Sequence, residues 1–361
     1  TPGETDDQII IYYPEKDVVI SADNYYMRFP NLYTIRGTSY RDTKSWYKSV
    51  DTMRSYKPDF LISCHGPFLT GEKIIEERLT IYRDAIQYIH DYAVRGANLG
   101  KTPDELVENF EYPSFFLENY DLQEKYGKVS WSIRNVYNGY LGFFDGKAVN
   151  LEPLSAKKRA KHIFELIGSK DQLISEINKA NQSKNYQWAA ELSDVGLLNF
   201  PNDDQIKNLY SISLENLSLV ETNPIARNYY LSEAYELTNK INPLLEYTVS
   251  AEQAKNIPLS TFFDAMGPRL NSEKAKNKLI KIGFNITDSD EKFGVIVRNQ
   301  IAEISNSYDD SFDVIVSVDS NTWKGIVLKT VSAVQAIASG KLKIDGESIK
   351  FLQFSSLFNS D

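Results

Sequence analysis

Three residues in the first fifth of the chain are of types that bind a metal ion together. Glu4 stands in a tight turn written Thr1-Pro2-Gly3-Glu4. Asp23 closes the apolar run Val18-Val19-Ile20-Ser21-Ala22, and His65 follows a second one, Phe60-Leu61-Ile62-Ser63-Cys64. Two carboxylates and an imidazole are donors that a borderline cation such as zinc accepts. In open α/β sheets, sites form at the ends of strands. The plainer reading of the same residues is two solvated turn carboxylates and a hydrogen-bonded loop histidine. Between them lies a basic turn, Ile35-Arg36-Gly37. A guanidinium there offers a fork of donors that matches a tetrahedral oxyanion, and Gly37 lets the backbone turn tightly. Arg41, followed by Asp42, is a weaker candidate: an exposed ion pair between the two is an equally good account.

The elements that would position these residues can be read from periodicity. Ile9–Tyr13 and Val18–Ile20 read as consecutive strands joined at Pro14-Glu15-Lys16-Asp17. Residues 44–56 read as a helix with Trp46, Val50 and Met53 on one stripe, and Phe60-Leu61-Ile62 as a last buried strand. So few elements cannot cover both faces of a sheet, and the chain opens at Thr1 without methionine. Both features lead to the expectation that residues 1–71 are the closing segment of a larger domain in a longer parent protein.

From Glu72 the period becomes helical. Ile75, Leu79, Tyr82, Ile86, Ile89 and Ala93 fall on one stripe. Thr102-Pro103-Asp104-Glu105 has the form of a capping box with proline at the first helical position. Residues 111–150 read as an irregular, glycine-punctuated connector. Helices are expected at 155–167, 171–183, 185–199 and 203–219, and from about Ala226 to Asn239. Trp188, Leu192 and Val195 form one stripe, and Ile206, Leu209 and Leu217 another.

Residues 241–257 read as a linker. Beyond it a helix near 259–267 precedes strands at 278–286, 293–298 and 313–318. A helix at 322–338, a strand near 341–347 and a helix at 348–358 follow. The fold class expected is multidomain α+β: 1–71, a helical domain at 72–240, the linker, and an α+β domain at 258–361.

Composition removes some function classes. The 361 residues carry a formal net charge of −9, which argues against nucleic acid as the main partner, because phosphate binding needs a basic face. The single cysteine, Cys64, excludes an internal disulfide. No apolar run reaches the ~18 residues of a membrane span.

Several blocks resemble the alkyl sulfatases of the SDS-hydrolase type, which belong to the metallo-β-lactamase superfamily. They are Thr1-Pro2-Gly3-Glu4, Ala22-Asp23-Asn24, Asn31-Leu32-Tyr33-Thr34-Ile35-Arg36-Gly37, Tyr40-Arg41-Asp42 and Ser63-Cys64-His65-Gly66. The likeness continues through Tyr82–Asp91, Tyr137–Gly146 and Gln187–Leu192 to Phe263–Leu270, so it covers nearly the whole chain. It implies a two-zinc hydrolytic site acting on linear primary alkyl sulfates, with Glu4, Asp23 and His65 among the metal ligands. It also implies Arg36 as the sulfate clamp, with Arg41 a further substrate-binding residue. Residues 72–240 would form a homodimerising domain. Residues 258–361 would form a sterol-carrier-like domain, with Phe262, Phe263, Met266 and Trp323 lining an apolar slot.

The chain departs from that pattern in three places. The first acidic position reads Gly3-Glu4-Thr5-Asp6 where the family has Thr-Glu before a proline-containing turn. The spacing of 19 residues from Glu4 to Asp23 still matches the family without a gap. Asp23 stands where the family usually has glutamate. The family's His-x-His-x-Asp-His loop is missing, the three histidines being His65, His90 and His162. The resemblance therefore implies that this chain alone does not complete the site. Two further readings stay open: a non-catalytic, homodimerising lipid-binding module, and a hydrolase of another ester.

Overall fold

A computed structural model describes residues 1–238 and 251–358. The chain divides into two compact units, residues 1–243 and 244–361.

The first unit begins with a four-stranded sheet. β1 (Ile11–Tyr13) and β2 (Val18–Ala22) form an antiparallel hairpin across a single 3₁₀ turn. The chain then crosses over through helix α1 (Thr43–Ser55), and β3 (Phe60–Ser63) pairs with β2 in parallel. A parallel neighbour requires such a crossover. β4 (Leu69–Thr70), which the sequence reading lacks, closes the order β1-β2-β3-β4. Asp42 caps α1 by accepting from the backbone N–H groups of Lys44 and Ser45, and Trp46, Val50 and Met53 are all fully buried.

Alternation decides which face of this sheet packs. Tyr12, Val19, Leu61 and Leu69 stand in register across the four strands and point into the core. Ile11, Ile20 and Ile62 form the adjoining row and are exposed, as are Tyr13 and Phe60. Phe60-Leu61-Ile62 is thus half buried rather than wholly buried, because its neighbours on one face are solvent.

Helix α2 (Glu72–Asn98) runs beneath, and its expected stripe from Ile75 to Ala93 is buried throughout. The Thr102–Glu105 capping box forms in both directions and starts α3 (Pro103–Glu108). Residues 111–150 differ from the expected connector: they hold α4 (Ser114–Glu118) and the 13-residue α5 (Val129–Leu141). Val129, Ile133, Val136 and Tyr137 supply a helical stripe there that packs on α2. Of the glycines that suggested turns only Gly139 lies within this helix, where packing overrides its weak helix propensity; Gly142 ends the helix and, like Gly146, has a positive φ.

Five helices follow: α6 (Ala156–Ile167), α7 (Lys170–Gln182), α8 (Tyr186–Asn199), α9 (Asp204–Val220) and α10 (Pro224–Leu237). Asp203 caps α9 and Asn223 caps α10, ahead of Pro224. The expected stripe on α8 is rotated. Ala189, Leu192, Ser193 and Gly196 are buried while Trp188 faces outward. The expected end of α10 at Asn239 lies outside the described residues, as does 241–250 of the expected linker. Its remainder carries a short helix, α11 (Ala251–Lys255).

In the second unit, α12 (Leu259–Asp264) and α13 (Met266–Arg269) precede β5 (Ile280–Ile286), β6 (Lys292–Arg298), β7 (Ile301–Ser305) and β8 (Val314–Val318). The sheet is completed by β9 (Leu342–Gly346) in the order β7-β6-β5-β8-β9, with β5 and β8 parallel. The helix expected over 322–338 is broken into α14 (Ser320–Val327) and α15 (Ala333–Ala338). The cause is local. Val331 folds back onto Gly325, where a Cβ would stand 2.5 Å from its methyl carbon, and Thr330 and Val331 both donate to the Gly325 carbonyl. Ser332 then caps the new helix. α16 (Ser348–Ser356) closes the unit over Phe351 and Phe354. Buried Lys324 is satisfied by the carbonyls of Lys255 (2.9 Å) and Ile257 (2.7 Å), at the open end of α11. The protein is therefore multidomain and α+β: a small mixed sheet with helices, a helical stretch, then a second α+β unit.

Candidate active site

The crossover brings the two candidate strand ends together. Because β2 and β3 are parallel, Ala22 and Ser63 are partners, and the Cys64 N–H donates to the Ala22 carbonyl at 3.3 Å. Asp23 and His65 leave the sheet side by side, with Nε2 of His65 3.5 Å from Oδ1 of Asp23. That gap is too long for a good hydrogen bond. Asp23 Oδ1 is buried and has no hydrogen-bond partner among the described residues, although its imidazole neighbour is largely exposed.

The turn that carries Glu4 is tied to α1 and to Asn24. Ser49 donates to the Pro2 carbonyl at 2.7 Å, Asn24 to that of Thr1 at 2.8 Å, and Trp46 to that of Asn24 at 3.0 Å. Glu4 as a residue is 8% exposed. Burial pushes its pKa up; the Arg41 guanidinium opposes this and the Asp23 charge adds to it. The Glu4 charge is thus met by Arg41, while Asp23 keeps a buried oxygen without a hydrogen-bond partner among the described residues.

Arg41 does not form the expected pair with Asp42. It is 4% exposed and turned inward, donating to Glu4 Oε1 at 2.8 Å and to the Asn31 carbonyl at 2.6 Å. Its partner is Glu4 rather than Asp42, which is occupied in capping α1. Arg36 sits on a turn closed by the Gly37 N–H donating to the Thr34 carbonyl, with Gly37 at φ +92°. Its side chain is exposed, with no carboxylate partner among the described residues. His90 is buried between Asp91 and Tyr140, and His162 pairs with Glu165 on the surface.

The donor chemistry fits a borderline divalent cation, but the number of donors does not complete a site. Among the described residues no three of His, Cys, Asp and Glu converge on one point. The structure joins Asp23 to His65 and Glu4 to Arg41, and leaves Arg36 in solvent.

A cavity of about 450 Å³ opens beside His65, lined also by Tyr26, Met27, Arg28, Tyr120 and Tyr126. That size lies within the range of small-molecule sites. The Tyr126 hydroxyl donates to Glu4 Oε1 at 3.3 Å, which connects the cavity wall to the carboxylate. The walls are braced from behind. Tyr25 donates to Asp121 at 3.0 Å, and Arg78 pairs with the same carboxylate at 3.1 Å. The sequence reading missed Arg28, Tyr120 and Tyr126. Tyr120 and Tyr126 lie about 100 positions from Met27, so no local pattern signals them.

A second cavity of about 450 Å³ lies in the other unit, lined by Met266, Trp323, Val327, Val331, Phe354 and Phe358 among others. The Trp323 indole N–H is buried and unpartnered among the described residues. Of the four residues expected to line an apolar slot, Met266 and Trp323 do so. Phe263 instead stacks in the core between Phe293 (4.1 Å) and Trp323 (5.5 Å). Phe262 lies under the Lys324 ammonium.

The fold thus places paired strand ends, presenting an acid and an imidazole, beside an apolar cavity. Comparison with known proteins places it more closely. Residues 102–240 match the family profile described as alkyl sulfatase dimerisation, and residues 247–361 the profile described as alkyl sulfatase C-terminal. A linear primary-alkylsulfatase of a Pseudomonas species is 32% identical over 99% of this chain and 70% of its own length. The alkyl/aryl-sulfatase BDS1 of Saccharomyces cerevisiae is 28% identical over 99% of this chain and 56% of its own. The solved structure of the stereoselective inverting sec-alkylsulfatase Pisa1 of Pseudomonas superposes with a TM-score of 0.91 at 27% identity, over 98% of this chain and 56% of that one. The chain belongs to the alkyl sulfatase family, within the metallo-β-lactamase superfamily. It spans 70% of the first of these relatives and just over half of the other two.

Proposed function

We propose that this chain carries the closing wall of the active site of a zinc-dependent alkyl sulfatase, which hydrolyses linear primary alkyl sulfate esters to alcohol and sulfate. The observation that carries the reading is the parallel β2–β3 pair, which presents Asp23 and His65 together, with an orphaned buried oxygen, at the mouth of an apolar cavity. Asp23 and His65 would hold the metal, with Glu4 joining when its bond to Arg41 is released. A zinc ion takes about four ligands, so we assign hydrolysis to the complete gene product and not to these residues alone. A bound zinc pair lowers the pKa of water and neutralises charge on an oxyanion. The remaining roles fall to the chain itself. Arg36, free of any carboxylate among the described residues, clamps sulfate oxygens. The tyrosine-walled cavity takes the first part of the alkyl chain and excludes water from it, at about 0.8 kcal/mol per buried methylene. The cavity around Trp323 is by itself an apolar surface of a size that suits an amphiphile. The family's dimerisation domain supports a homodimer.

The test is sulfate release from dodecyl sulfate by the complete gene product, comparing wild type with Arg36→Ala and His65→Ala. Zinc content is measured on the same samples. Losses of at least about a hundredfold are expected, with reduced zinc only in His65→Ala. Undiminished turnover in both variants would remove the site.

A further inference from the structure

The one guanidinium that lines the cavity is Arg28, to which neither the sequence reading nor the family comparison gives a role. It is half-buried. Its Nη2 donates to the Tyr120 hydroxyl at 2.7 Å and its Nη1 to the Met27 carbonyl, and the guanidinium lies 4.4 Å over the Tyr120 ring. These contacts fix the plane of the group before any ligand arrives. An arginine has five N–H donors, so most of Arg28's donors stay unused. Its neighbours in the unit are placed differently: Arg41, Arg54, Arg78 and Arg83 each pair with a carboxylate. Arg28 has no carboxylate partner among the described residues, and no acidic residue lines the cavity. A held, uncompensated cation in an apolar, aromatic chamber selects for an anion attached to an apolar body.

We propose that Arg28 is the anion-binding residue of this cavity and sets its preference for charged over neutral amphiphiles. It binds the head group while Met27, Tyr26, Tyr120 and Tyr126 receive the apolar part. This rests on the sulfatase reading only for the identity of the anion. Arg36 lies in solvent and does not line the cavity, so Arg28 takes the head group of an amphiphile first held in the cavity, and Arg36 takes the sulfate oxygens only in the complex that goes on to hydrolysis, with the alkyl chain then left in the cavity.

The chain's three methionines make the test direct. Met27 lines this cavity, Met266 lines the cavity of the second unit, and Met53 is fully buried in the first core. With ¹³C-methyl methionine, octyl sulfate and octanol are titrated separately below micelle-forming concentrations, and each methyl resonance is followed. The Met27 methyl should move with both ligands. In Arg28→Gln the octyl sulfate midpoint at Met27 should rise about tenfold or more, as loss of a charge-assisted hydrogen bond requires. The octanol midpoint should stay within about twofold, while Arg28→Lys keeps part of the sulfate preference. Met53 reports whether each variant is folded. If Arg28→Gln fails that control, Tyr120→Phe, which removes the hydroxyl that holds Nη2, should still weaken octyl sulfate selectively. An unchanged sulfate midpoint in the folded variant overturns the proposal, as does an equal loss for octanol or a Met27 methyl that ignores octyl sulfate. Anion binding that depends on Arg28 in a protein without sulfatase activity would instead leave this inference standing and remove the hydrolase reading.

Discussion

At the scale of single residues, the inward turn of Arg41 buries an ion pair. Glu4 and Arg41 are both nearly inaccessible. A buried pair is a weak source of net stability, but removing one partner strands the other charge and costs about 3–5 kcal/mol. Arg41→Met should therefore lower the denaturation midpoint strongly in urea titrations, and the double variant Glu4→Gln/Arg41→Met should recover much of the loss. A single variant as stable as wild type would show that Glu4 is not charged in the folded state. Pairing with Glu4 could not be read from Tyr40-Arg41-Asp42, because the adjacent acid offers a simpler partner and Glu4 lies 37 positions away.

At the scale of elements, the crossover β2–α1–β3 sets the site, and strand alternation sets its stability. Leu61 points into the core and Ile62 into solvent. Leu61→Ala should cost about 2–5 kcal/mol, and Ile62→Ala about 0.5 kcal/mol, in parallel denaturant titrations. Equal losses would mean that the exposed face is covered in solution. A cap makes a separate prediction. Asp203 accepts from the Ile206 N–H at the start of α9 and contacts Lys170, and the lysine followed by the cap bond holds its carboxyl below the usual range. A depressed carboxylate contributes stability above its unfolded pKa and loses it as pH falls through the folded value. Asp203→Asn should therefore flatten the fall in stability between about pH 5 and about pH 2, measured by thermal melts across that range. Of these elements, the hairpin, α1, the α2 stripe and the Thr102 capping box were legible, because each is stated by residues within a few turns of one another. The parallel pairing of β2 with β3, the short β4 and the break between α14 and α15 were not. Each depends on a partner distant in sequence or on a side chain folding back.

At the scale of the whole molecule, apolar side chains left in water point to assembly. Trp188, Ile212, Leu219, Val220 and Tyr229 are exposed on α8, α9 and α10, within the segment that matches the dimerisation profile. Leu219 and Val220, adjacent at the end of α9, test whether this surface is an interface. Sedimentation equilibrium should give twice the monomer mass, and Leu219→Lys with Val220→Lys should weaken the association by at least tenfold while leaving the helical circular dichroism unchanged. A wild-type monomer at micromolar concentration would count against the homodimer.

What the amino-acid order determined alone was periodic and local: the change from strand to helix at Glu72, the caps, the three donor residues of metal-binding type, and the blocks that carry the family likeness. Tertiary structure decided which groups meet. It put Asp23 beside His65 by making two strands parallel. It turned Arg41 onto Glu4, and it gathered Arg28, Tyr120 and Tyr126 around one cavity. The reason is physical: backbone hydrogen bonds and hydrophobic stripes are written at short range, whereas the pairing of charges and the shape of a cavity follow from cores assembled across about a hundred residues.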